Sequence, residues 1–272
     1  MALNPLQRVD ILGVHVSTLD LPTAVDEIAR WVHEGEKHYV CVRDAHGVML
    51  AQKDESFRRI QNASGLTTPD GMPMVWCGRY AGAKEMSRVY GPDLIQAVTE
   101  RAGKEGWKFF YYGGTEGVAE ELAEEIKRMA PGVQNVGTYC PPFRPLDSDE
   151  RSAVIDQINA SGADVVWVGL SSPKQEFWMD DVRSDLDAAA LIGIGAAYDM
   201  LTGRVRQAPR IIQRSGFEWL FRLVMEPKRL WRRYVLNLPQ FAVMLARNRP
   251  TLLDPPRAKS DVTPPVTKIT EQ

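Results

Sequence analysis

Apolar residues fall along the chain in two alternating rhythms. Short, nearly unbroken apolar runs occur at 9–16 (VDILGVHV), 38–42 (HYVCV), 107–114 (WKFFYYGG), 133–139 (VQNVGTY), 163–170 (ADVVWVGL) and 189–195 (AALIGIG). Runs of this length, rich in β-branched and aromatic residues, predict strands, several of them buried on both faces. A briefer strand is expected in GLTTPDG (65–71). Between these runs the spacing becomes helical. In 17–35, Ala24, Ile28 and Trp31 share one face behind a capping-type start, and 115–132 closes with Pro131 and Gly132. The segments 48–63, 147–162 and 172–182 also read as helical.

Strands alternating with helices predict an α/β fold, a Rossmann-like and mostly parallel sheet with helices on both faces. Ligands of such sheets bind beyond the carboxyl ends of the strands. The loops 111–117, 169–176 and 193–200 each follow a strand and are expected at one edge. Near residue 203 the pattern changes. The segment 203–234 holds nine Arg and Lys against Glu218 and Glu226, a local charge of +7 in a chain whose total is −2. Beyond Pro227, Leu230, Trp231, Tyr234, Val235 and Leu238 fall on one helical face. A basic amphipathic helix bearing Trp and Tyr suits the surface of anionic lipid, and its arginines can equally grip a diphosphate. A solvated charged face or an RNA-binding stripe is the alternative; the aromatics and the acidic remainder favour membrane. The expected organisation is an α/β catalytic domain over 1–202 and a basic amphipathic helical appendage over 203–248. The Pro-, Thr- and charge-rich tail over 249–272 is expected to be disordered.

A length of 272 residues is enough for a substantial core, and the near-neutral net charge gives no field directed at nucleic acid. Cys41, Cys77 and Cys140 are scattered and outside any CxxC pattern, which predicts a reducing cytoplasm and no disulfide framework. Residues 1–16 mix acidic and basic side chains where a signal peptide needs an apolar core, and no run approaches the roughly 20 apolar residues of a membrane span. His15, His33, His38 and His46 have no ligand spacing, so no metal is expected.

Candidate chemistry is confined to a few positions. Asp70, between Pro69 and Gly71, is either a turn residue or a proton acceptor. Gly113 and Gly114 allow a phosphate close approach to backbone N–H groups, or are simply the glycines of a tight turn. They do not form the GxGxxG of nicotinamide enzymes. Lys174 can face a phosphate and Gln175 can donate and accept at once, although a Pro-started helix would also place them here. Asp199 follows small residues that leave room for a ligand, and suits sugar hydroxyls or a helix cap.

The stretches TPDGMPMVW (68–76), RVYGPDL (88–94), YYGGTEGVAEE (111–121), VGLSSPKQEFWM (168–179), GIGAAYDMLTGRVRQAPR (193–210) and GFEWLFRLVMEPKRLWRRY (216–234) together resemble the WecG/TagA/CpsF family of bacterial glycosyltransferases, over roughly residues 9–245. The resemblance implies transfer of an N-acetylmannosamine-type sugar from a UDP donor to a polyprenyl-diphosphate-linked N-acetylglucosamine, with inversion and without a metal or other cofactor. It also implies work on the cytoplasmic face of the membrane, held there through residues 203–245. By resemblance Asp70 is the base, and Arg88 meets leaving-group charge with the N–H groups near Gly113 and Gly114. Gln175 and Asp199 hold the nucleotide or its sugar, and Arg214, Arg222 and Arg229 hold the acceptor diphosphate or the lipid surface. One departure concerns the donor: Val42 and Asp44 stand where the family carries Thr-x-Asn, so an acceptor-only anion replaces an amide. An epimerase or oxidoreductase on the same sheet, disfavoured by the missing GxGxxG, and a non-catalytic lipid-glycan adaptor are the competing readings. The exposed apolar face also allows pairing of subunits.

Overall fold

The computed structural model describes residues 6–254. Its first elements are β1 (Arg8–Ile11), β2 (Val14–Ser17), α1 (Leu21–Glu34), β3 (His38–Arg43), α2 (Ala45–Ala51), α3 (Glu55–Ala63) and β4 (Leu66–Pro69). They are followed by α4 (Met72–Tyr80), α5 (Gly91–Glu105), β5 (Lys108–Gly113), α6 (Val118–Met129) and β6 (Gln134–Tyr139). Then come α7 (Ser148–Ser161), β7 (Val165–Gly169), α8 (Lys174–Val182), β8 (Ala190–Gly193) and α9 (Ala197–Leu201).

Six of the strands form one parallel sheet in the order β4-β3-β8-β7-β5-β6. The α/β expectation holds, and the period of two explains how the core divides. Phe109 and Tyr111 join α1, α5 and α6 on one face, while Phe110 and Tyr112 join α7 and α8 on the other. A third core lies under α2, α3 and α4, against the small antiparallel sheet that includes β1 and β2.

Four expectations are corrected. The run 9–16 is not one strand but the β1–β2 hairpin, turned by Leu12 and Gly13 at φ of 56° and 82°, the left-handed pair that a tight hairpin requires. The stretch 48–63 is two helices, because Asp54 starts α3 afresh by accepting from the Phe57 N–H at 3.0 Å. The C-terminal helices are α10 (Arg210–Ser215), α11 (Glu218–Met225), α12 (Pro227–Trp231) and α13 (Asn237–Arg247), with a π turn at Arg232–Leu236. That turn holds extra residues, so the 3.6-residue spacing behind a single apolar face fails there. Leu230 and Tyr234 are buried, whereas Trp231 and Val235 are 44% and 53% exposed. Finally, the tail does not begin at 249. Thr251–Leu252 form β9 on β1, and Phe241 of α13 is buried in the third core, so the appendage is fastened to the body. Residues 255–272 lie outside the described residues. Among the described residues no helix is long and apolar enough to cross a membrane.

Candidate active site

Parallel pairing brings the carboxyl ends of β3, β4, β7 and β8 to one edge. The register Arg43↔Pro69 sets the next residues, Asp44 and Asp70, side by side, and the Asp70 N–H donates to the Arg43 carbonyl at 2.9 Å. A cavity of about 370 Å³ opens above these strand ends. Asp44, Asp70, Gln175, Asp199, Arg222 and Arg229 all line it, so six of the positions singled out in the sequence meet. A smaller cavity of about 80 Å³ lies beside it, walled by Met72, Pro73, Trp219, Tyr234 and Leu238, and contains Arg88. Asp44, His46, Asp70, Arg222 and Arg233 line both.

Asp70 Oδ1 is buried without a hydrogen-bond partner. Burial pushes its carboxyl up to about 6, opposed by Arg88 and Arg222 and reinforced by Asp44 and Glu218. Arg88 is committed on two sides. Its Nε donates to the Asp70 carbonyl, its Nη2 to Glu218 of α11 at 2.5 Å, and its guanidinium stacks 4.1 Å from the Tyr90 ring centroid. It is therefore a fastening for the Asp70 backbone more than a cation open to a leaving group.

Asp44 caps α2, accepting from the Gly47 N–H at 2.9 Å, and pairs with Arg233 of the π turn at 2.5 Å. Burial works against its charge, but Arg233, His46 and the Gly47 N–H prevail and hold the carboxyl well below the usual range. The anion of Asp44 is thus neutralised by a residue of the C-terminal helices. His46 accepts from Asn237 Nδ2 at 2.9 Å, and burial followed by Arg233 lowers its pKa.

Gln175 is 3% exposed, and its Oε1 has no partner. Gly193 and Gly195 make room for it: a Cβ on Gly193 would stand 2.9 Å from Gln175 Nε2, and one on Gly195 would stand 3.2 Å from Oε1. Behind it lies a buried ion pair, Arg43–Glu176 at 2.6 Å, with Ser172 Oγ also donating to Glu176 at 2.5 Å. Arg229 is exposed and pairs with Glu226 at 2.8 Å, while Arg222 Nε is buried without a partner. The side chain of Arg214 lies outside the described residues.

Gly113 and Gly114 are closely packed at the end of β5. Gly113, at φ 111°, lies so close to β7 that a Cβ would stand 2.8 Å from the Gly169 carbonyl carbon, and the Gly114 N–H is spent on the Gly169 carbonyl at 3.0 Å. Gly113 serves strand packing, and Gly114 makes room for Val118 and Tyr198. Gly114 and Lys174 instead line a third cavity, of about 710 Å³, at the ends of β5 and β7. Its wall includes the stacked rings of Tyr112 and Trp178, 3.9 Å apart, and Asp199, Ser171 and Gly195 border both this cavity and the central one.

The sequence reading missed Arg233, His46, Glu218 and the Arg43–Glu176 pair as site residues. Arg233 carried one usable signal, its four-residue spacing from Arg229 on a helical segment. Arg43 and Glu176 stand 133 positions apart and carried none. A comparison with protein families matches residues 9–254 to the glycosyl transferase WecG/TagA/CpsF family.

Proposed function

The chain belongs to the WecG/TagA/CpsF family of glycosyl transferases and so to the enzymes of cell-surface polysaccharide biosynthesis, and from that premise we propose an inverting, UDP-sugar-dependent hexosyltransferase that acts on a polyprenyl-diphosphate-linked acceptor. The observation that carries this reading is the junction at Asp70. An unpaired carboxylate oxygen sits where the central cavity meets the smaller aromatic-walled one, so two substrates can approach it from different sides.

In this proposal the donor nucleoside occupies the cavity at the ends of β5 and β7. Trp178, backed by the stacked ring of Tyr112, gives a flat apolar face for the base, Lys174 a phosphate partner, and Asp199 an acceptor for ribose hydroxyls. The sugar reaches past Ser171 and Gly195 into the central cavity, beside Gln175. The acceptor hydroxyl gives its proton to Asp70 as its oxygen bonds to the anomeric carbon. The bond from that carbon to the UDP oxygen breaks on the opposite side, and the guanidiniums of Arg222 and Arg229 meet the charge on departing UDP. Asp44, held by Arg233, faces the central cavity where the family amide would stand and is the residue that distinguishes this enzyme's sugar preference, whether for N-acetylmannosamine, its uronic acid or a related hexose. The basic C-terminal helices, with Phe217, Val224 and Trp231 exposed, support placement on the inner face of the plasma membrane.

The test is UDP release from a panel of UDP-sugars in the presence of a short-chain prenyl-diphosphate-N-acetylglucosamine. One donor should give acceptor-dependent release, reduced about 10²–10⁴-fold by Asp70→Asn. Release unaffected by the substitution would return Asp70 to a turn residue. Without release from any donor, the adaptor reading takes its place.

A further inference from the structure

One further cavity, of about 430 Å³, lies between α4, the segment leading into α5, and α10. Arg79, Ser87, Arg88, Asp93, Arg210 and Gln213 line it. Arg88 and Gln213 also line the small cavity that contains Asp70 and Trp219, so the two adjoin. Three guanidiniums stand here against one carboxylate. Arg88 is tied to Glu218, but among the described residues Arg79 uses only its Nε, on the Met86 carbonyl at 3.0 Å, and Arg210 makes no side-chain hydrogen bond or ion pair. Unpaired arginines around a cavity suit an oxyanion that their planar forks can bind in pairs.

Exposed apolar side chains stand on two of the helices that line this cavity. Trp76 and Tyr80, on the same helix as Arg79, are 53% and 62% exposed, and Ile211, next to Arg210, is 84% exposed. The aromatic-walled chamber of Asp70 thus adjoins a basic cavity, and the helices that line that cavity carry exposed apolar residues. That arrangement matches a sugar, a diphosphate and an apolar chain joined in sequence.

We propose that this cavity seats the acceptor's diphosphate: Arg79 and Arg210 grip a prenyl diphosphate whose sugar points inward past Trp219 to Asp70 and whose chain leaves over Trp76, Tyr80 and Ile211. The inference rests on the glycosyl-transfer reading above. It gives the acceptor phosphates a seat of their own, separate from the arginines that serve the donor, and brings α4 of the α/β body into contact with the lipid alongside the appendage.

Binding of farnesyl diphosphate, inorganic diphosphate and UDP to the full chain, measured by calorimetry, tests it. Arg79→Gln/Arg210→Gln should weaken farnesyl and inorganic diphosphate at least tenfold and leave UDP affinity within twofold, which also shows that the variant is folded. Asp93→Asn removes the one opposing carboxylate and should tighten farnesyl diphosphate severalfold. UDP and farnesyl diphosphate should bind together. Competition between them, or a double variant with its farnesyl diphosphate affinity intact, overturns the assignment. The same cationic chemistry would hold a phospholipid headgroup, so co-sedimentation with phosphatidylglycerol vesicles is the second arm. Vesicle binding lost in the double variant with farnesyl diphosphate affinity retained gives the cavity to the headgroup and also overturns the assignment. Sugar transfer that fails while the binding pattern holds defeats the glycosyl-transfer reading and leaves the diphosphate site standing.

Discussion

Asp70 is held ionised in surroundings that resist its charge. With a carboxyl pushed up to about 6 by burial, it is a stronger base than an ordinary Asp and remains mostly ionised at neutral pH. Activity that depends on this carboxylate should fall about tenfold per unit as pH drops below 6, as the pH dependence of kcat/KM would record. Arg88→Gln removes the largest opposing charge and should move that limb to higher pH. The stability effect has the opposite sign to the usual paired carboxylate. The folded-state value exceeds the ordinary 3.8, so between about 4 and 6 the folded chain binds more protons than the unfolded one, and this group favours folding more as pH falls. Asp70→Asn should therefore stabilise the protein by ~1–3 kcal/mol at pH 7.5 while sharply reducing transfer, with the gain shrinking toward pH 4. Urea unfolding at both pH values checks it. The motif around Asp70 is legible in the sequence. Its unpaired oxygen is not, because burial depends on helices that come much later in the chain.

At the scale of elements, the edge of the sheet is organised by contacts between strand ends and the helices that follow them. Arg43 at the end of β3 and Glu176 in α8 form a pair that is 1% and 0% exposed, tying the first turn of α8, which carries Gln175, to the strand that leads into Asp44. Removing one partner strands a buried charge, so Glu176→Gln should lower stability by ~3–5 kcal/mol. It should also raise the donor KM, since Gln175 Nε2 donates to Glu176 at 3.3 Å. A loss below 1 kcal/mol in denaturant titrations would show that this end of α8 is held by packing instead. Most elements were legible because their apolar period is strong. The strands β5, β7 and β8 are buried on both faces, and α7 announces itself with Asp147 and Glu150 in a capping box. The hairpin and the π turn escaped for a common reason. Each shifts the spacing by a residue or two, and periodicity averages over such shifts.

Across the whole molecule, two ion pairs, Asp44–Arg233 and Arg88–Glu218, join the α/β body to the C-terminal helices on either side of Asp70. Phe241 and β9 anchor those helices from behind. Truncation after residue 202 should therefore remove Arg222 and Arg233 from the site and uncover the third core, with transfer lost and the melting temperature lowered. Binding to anionic vesicles should weaken as salt rises, because the surface pairs exposed Trp231 and Phe217 with a charge of +7 over 203–234. Salt-independent co-sedimentation would place the attraction in the apolar side chains alone. The amino-acid sequence by itself determined the alternation of strands and helices, the loops that gather at one edge, the basic character of the C-terminal region and the motifs that mark the family, because all of these are local in composition or period. Tertiary structure alone decided that Gly113 packs strands, that Arg88 serves Asp70, that Arg233 answers Asp44, and that the last helices close the site. Those assignments depend on burial and on distances between residues far apart in the chain, which no local pattern encodes.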